Sequence, residues 1–217
     1  MVRPRRAAPT ALPGTRSRIL SAACDEFGAR GFAATTVDRI AGRARVNKAM
    51  IYYHFSSKAA LYTAIVREMY GQIAEQLQAI ATQPLSAEAK IDALIETLVN
   101  AVDGSRHFLP IFLREIADGA VHLGPAELAL IAGIFSTVRG VIVEGVRQRR
   151  FQQVNPALAH FTLIGPLVMF RASAPVRERI RTTQRLDIGE VDSRTLIAHL
   201  QMVARRMLAP EEGPAKD

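Results

Sequence analysis

Lys48, Tyr52, Tyr53 and His54 are the residues of this 217-residue chain best placed to do chemistry on a partner. An ammonium, two phenols and an imidazole can all donate hydrogen bonds. Their spacing suits one short helix. Ile51 and Phe55, one turn apart, become its buried anchors, and Lys48, Ala49, Tyr52, Tyr53 and His54 fall on or beside the outer face. A cationic, tyrosine-bearing surface of this kind suits phosphates and base edges. Covalent chemistry has no comparable set. His107, His122, His160 and His199 share no ligand spacing, and Cys24 stands alone. No nucleophile-elbow, Walker-type or zinc-type motif occurs. The expectation is no catalytic residue, no metal and no cofactor.

The helix must be held by what precedes it. Thr35 or Thr36 can cap an earlier short helix, because either hydroxyl accepts from the free N–H groups of a first turn. Val37, Ile40, Ala41 and Ala44 then recur at i, i+3, i+4 and i+7 on one face. Asn47 is a natural cap for the helix carrying Lys48. Two short helices at a tight turn, the second displaying polar side chains, make a helix-turn-helix.

The stretch resembles the DNA-binding motif of the tetracycline-repressor (TetR) family of bacterial transcription regulators. Thr36, Ile40-Ala41, Ala44, Val46, the Ile51-Tyr52-Tyr53-His54-Phe55 run, Lys58 and Leu61 carry the resemblance, which covers roughly residues 15–66. Two positions depart from the family pattern. Arg45 stands at the turn where Gly is usual, and a non-Gly residue adopts positive φ there at about 1 kcal/mol. Met50 stands where a hydroxyl residue is common. The resemblance implies that Lys48, Ala49, Met50 and Tyr53 face base edges of double-stranded DNA. It implies that Thr36, Tyr52, His54 and Lys58 hold phosphates, with Arg45 an added cation beside them.

The charge distribution points the same way. Eleven of the 28 Lys and Arg residues, but only three of the 20 Asp and Glu, lie in residues 1–58, so the whole excess of +8 sits in the first quarter. That is the footprint of a phosphate-facing surface. A lone Cys excludes an intrachain disulfide and fits a reducing cytoplasm. No apolar run reaches the roughly 18 residues that span a bilayer, so no membrane association is expected.

The remainder reads as all-α. Residues 1–14, with Arg3, Arg5 and Arg6, form a basic disordered arm. A first helix runs from a Thr15 cap to Gly28 or Gly31, with Cys24 on its buried stripe. The DNA-binding domain then occupies 15–60. A helical effector-binding and dimerisation domain occupies 61–209, and 210–217 is a flexible tail. Helices are expected from Ser56 or Ser57 to Ala81, then over 87–102, 106–117, 126–150, 156–171 and from Asp192 or Ser193 to Leu208. Residues 177–192 read as a polar linker, and the total is about nine helices.

The larger domain has two roles to fill. Leu196, Leu200, Val203 and Met207 recur along the last helix, and Leu158, Phe161 and Gly165 along the one before the linker. The resemblance implies a homodimer joined through these two helices, so that two modules read a near-palindromic operator. The middle helices supply Phe108, Phe112, Phe135 and Phe161, with His107, Arg114 and Glu115 as polar companions. In similar proteins such residues line an apolar cavity for a small apolar or amphipathic effector. The resemblance thus implies a cytoplasmic bacterial repressor released from DNA by that effector. Its rivals are a ligand-independent or architectural DNA binder and an activator of the same fold.

Overall fold

The computed structural model describes residues 14–186 and 189–210. The basic arm expected over 1–14 therefore lies outside the described residues except for Gly14, and so does the tail beyond residue 210. Among the described residues there are ten helices and no strand: α1 (Thr15–Ala34), α2 (Val37–Ala44), α3 (Lys48–His54), α4 (Lys58–Ala81), α5 (Ala87–Asp103), α6 (Phe108–Ala117), α7 (Pro125–Arg147), α8 (Pro156–Ala172), α9 (Ala174–Gln184) and α10 (Ser193–Leu208). They form two compact units that divide between Ile65 and Val66, within α4.

In the first unit, α1 packs on α2 and α3. Ile19, Ile40, Ile51 and Leu61 are fully buried at its centre. Gly31, at φ 75°, breaks the helical run inside α1. The chain turns there so that Phe32 stacks on Phe27 and meets Tyr62 edge-on, with ring centroids 6.0 and 5.2 Å apart. Thr15 is not the cap of α1. That position falls to Gly14, which has no side chain to offer, and the Thr15 hydroxyl instead accepts from Arg18. Cys24 is half-buried rather than enclosed.

The second unit is built around α5, which α7, α8 and α10 cover. Ile91, Leu94, Ile95 and Val99 form its buried stripe. The α10 residues Leu196, Leu200, Ala204 and Leu208 close over this core. Arg205 bonds Asp92, and Gln152 bonds the Met207 carbonyl at 2.7 Å, fixing the last turn. Glu127 is buried yet charged. It receives the Gly124 N–H at the start of α7, and Arg67 of α4 pairs with it. α7 ends at Arg147, three residues short of the expected Arg150, in a turn where Arg149 takes φ 57°. Phe151 then folds back on Gly145, where any Cβ would lie 2.1 Å from the ring. By length and composition α7 could cross a membrane. Here its Val138, Val141 and Ile142 are buried in the helical body, and Arg139 and Glu144 interrupt the apolar stretch.

The first half of the expected linker over 177–192 is helical. α9 occupies Ala174–Gln184, after a bend of 47° from α8. None of its residues is buried, so it carries no apolar periodicity. Its Arg, Glu and Gln residues favour helix intrinsically, and Arg181 pairs with Glu178 one turn back.

Candidate nucleic-acid interface

The interface is built from caps outward. The Thr36 hydroxyl accepts from Arg39 N–H at 3.3 Å and starts α2. Thr35, completely buried, instead turns its hydroxyl toward the carbonyls of Gly31 and Glu26, at 2.8 and 3.0 Å. Arg45 takes the left-handed conformation at φ 53° and Val46 N–H returns to the Ala41 carbonyl, which turns the chain into α3. Asn47 caps α3 through Ala49 N–H at 2.9 Å. Ile51 and Phe55 are buried and pin α3 to the unit, and Arg16 lies over the Phe55 ring.

The opposite face of α3 is open. Tyr53 is 80% exposed, and Met50, Tyr52, Ala49 and Lys48 are exposed beside it. Arg45 and Thr36 are exposed at the edge. His54 is half-buried against Tyr53, its Nε2 enclosed without a hydrogen-bond partner, so that nitrogen is turned away from any phosphate.

Lys58 does something other than hold phosphate. Its ammonium donates to the carbonyls of Phe32 and Thr35, both at 3.0 Å, and sits 4.3 Å from the centre of the Phe32 ring. A cation in the first turn of α4 opposes the helix dipole. Two carbonyls and a π-face compensate it. Sequence spacing cannot find those partners, because they lie more than 20 residues upstream and are main-chain atoms.

Carboxylates organise the surrounding cations. Glu26, buried on α1, takes Arg30, Arg39 and Arg43 at 3.2 to 3.4 Å, and Arg43 also meets Asp25 at 2.8 Å. These bonds tie α2 to α1. The hydrogen bond that Arg43 donates to Asp25 raises its guanidinium further above the ordinary value. Lys48 pairs with Asp38 of α2 at 2.9 Å, and that hydrogen bond raises the Lys48 ammonium above its ordinary value, so it stays charged.

The residues expected around an effector do not converge. Phe108 stacks on Phe112 and meets Tyr70, while Phe135 and Phe161 gather around His160 in a separate cluster. Glu115 is buried and bonds His122 at 3.1 Å; His107 and Arg114 are half-buried on and beside α6. A groove of about 820 Å³ lies elsewhere, between α4, α5 and α7. Ala74, Gln78, Lys90, Gly133, Thr137 and Gly140 are among its walls, and none of the seven expected effector residues is. Sequence reading missed it because its lining mixes small aliphatic and polar residues and carries no aromatic ring.

The expected association residues also divide. Leu158 and Phe161 are about two-thirds exposed, at 67% and 66%, and Gly165 is open beside them on α8. Leu196 and Leu200 are only 5% and 2% exposed, because the α10 stripe packs into the unit's own core against α5. Val203 and Met207 are half-buried. The outer face of α10 is carried instead by Ala198 and Met202.

Among the described residues, all helical in their regular structure, a capped helix-turn-helix presents cations and tyrosines, the arrangement of helix-turn-helix DNA-binding modules. Residues 19–65 match the family described as "Bacterial regulatory proteins, tetR family". The chain is 31% identical over 103 residues to the HTH-type transcriptional repressor KstR2 of Rhodococcus jostii, covering 48% of this chain and half the length of that relative. It is 27% identical over 187 residues to the HTH-type transcriptional regulator RutR of Escherichia coli, covering 82% of this chain and 87% of RutR. The fold is similar to that of FadR from Bacillus subtilis in complex with stearoyl-CoA. There the TM-score is 0.69 at 17% identity, over 88% of this chain and 98% of the other.

Proposed function

We propose that the protein is a cytoplasmic, homodimeric, sequence-specific transcriptional repressor, and not an enzyme, whose operator binding a small amphipathic effector relieves. The carrying observation is the outer face of α3, where Lys48, Ala49, Met50, Tyr52 and Tyr53 are exposed while Ile51 and Phe55 anchor the helix from behind. On this reading residues 15–60 bind DNA and 61–209 associate and bind the effector. Lys48, Ala49, Met50 and Tyr53 address base edges. Tyr52, Thr36 and Arg45 face phosphates, and contacts of that kind set register and salt dependence. Leu158, Phe161 and Gly165 of α8, with Ala198 and Met202 of α10, form the two-fold contact. The test is binding to the DNA upstream of the chain's own gene. Tyr53→Ala is expected to weaken it at least tenfold with an unchanged melting temperature; unchanged affinity removes α3 from the interface.

The effector is assigned to the groove between α4, α5 and α7, because α4, which lines it, also supplies residues 58–65 to the first unit. Gly140 lines the groove and has nothing within 4 Å of its Cβ position, so Gly140→Leu adds bulk to the groove wall. Fatty acyl-CoAs are suitable first probes, as elongated amphipathic molecules of the kind bound by the FadR neighbour. Thermal stabilisation of the wild type that Gly140→Leu abolishes supports the groove. Stabilisation that survives it places the effector elsewhere.

A further inference from the structure

Three carboxylates lie in the strongly basic first quarter of the chain. Two are used inside the helical unit: the Asp25 and Glu26 side chains are 16% and 9% exposed and hold arginines. The third, Asp38, is 70% exposed and stands beside α3, bonded to Lys48. An anion in the first turn of α2 suits the helix dipole. That accounts for an acid, but not for its grip on the one ammonium displayed by the neighbouring helix. A bare carboxylate at the edge of a surface that lies along a polyanion is unfavourable, so its position there calls for a function.

We propose that Asp38 is a specificity-determining residue: it withholds Lys48 from phosphates and, paired with it, reads the major-groove edge of a G·C base pair. The inference rests on α3 being the helix that meets DNA. A lysine ammonium is a compact charge on a flexible stem. Phosphates are present at every step of every sequence, so a free Lys48 strengthens binding without discrimination. Held by Asp38, it reaches a phosphate only by bringing the carboxylate against the negative charge of the backbone or by breaking the pair. A G·C pair makes no such demand. Guanine O6 and N7 accept from the ammonium while the neighbouring cytosine N4–H donates to the carboxylate.

The experiment measures affinity of the full chain for two duplexes, one of random sequence and one enriched from a random pool by the wild type. Asp38→Asn is expected to bind the random duplex about tenfold more tightly, with a salt dependence steeper by about one counterion per subunit. At one G·C position of the enriched duplex, replacement by A·T is expected to cost the wild type about tenfold and Asp38→Asn less than about twofold. Adding Lys48→Gln to Asp38→Asn removes the gain on the random duplex, and Asp38→Glu behaves as wild type. Asp38→Asn with unchanged or weaker random-duplex binding and unchanged base preference overturns the proposal. In that case loss of affinity in Lys48→Gln leaves the reading of α3 standing. If Lys48→Gln and Tyr53→Ala both bind as wild type, the reading of α3 fails and this proposal with it.

Discussion

Lys58 shows how a side chain's type can be read correctly and its task misread. Its ammonium closes two main-chain carbonyls and caps an aromatic ring, so it holds the loop before α2 against the start of α4. Lys58→Met keeps most of the stem packing but leaves the Phe32 and Thr35 carbonyls without their donor. The expected cost is about 1–3 kcal/mol of stability, read by thermal or denaturant unfolding. The salt dependence of DNA binding should stay unchanged, whereas a phosphate contact would have been lost with the charge. Thr36 and Asn47 were legible as caps because a cap bonds two or three residues along the chain, within reach of spacing arguments. The bonds of Lys58 and the convergence of three arginines on Glu26 span 4 to 26 residues and depend on tertiary placement. Arg45 lies between these cases: the turn demands positive φ, and Arg supplies it at φ 53° despite its Cβ.

Among the elements, α5 and α10 were legible because each buries one continuous stripe. α9 was not, because it buries nothing. The α10 stripe also shows where periodicity stops informing: it identifies a buried face without saying whether the same chain or another copy covers it. α8 adds a pH dependence. His160 is buried between Phe135 and Phe161, and burial lowers its imidazole below the ordinary value of 6.5. The folded form therefore takes up its proton less readily than the unfolded chain. Stability is undiminished above about pH 6.5 and falls as the pH drops below it, because the unfolded state binds more protons there. The buried carboxylate of Glu127 acts in a separate window. Burial opposes its ionisation, but the bonds from Arg67 and from backbone N–H groups outweigh this and hold it below 4.5. Its contribution is therefore lost only at lower pH. The melting temperature is expected to decline as the pH falls below about 6.5, and His160→Phe should flatten that decline while leaving the more acid limb in place.

For the whole molecule, the open apolar residues of α8 matter more than those of α10. Leu158, Phe161 and Met169 leave a face that an isolated subunit has no reason to keep in water. Phe161→Asp places a charge at its centre. If α8 carries the proposed two-fold contact, the expected outcome by sedimentation is a monomer at protein concentrations where the wild type sediments as a dimer. Binding to a full operator should weaken at least a hundredfold, while far-UV circular dichroism stays unchanged. A dimer that persists would move the contact to another face.

α4 runs without interruption for 24 residues and crosses the boundary between the two units at Ile65 and Val66. Because an α-helix turns about 100° and advances about 1.5 Å per residue, one extra residue there would swing everything upstream by more than a quarter turn. Four extra residues would nearly restore the original azimuth. Relatives should therefore tolerate changes of length more readily in the loops flanking α4 than within it.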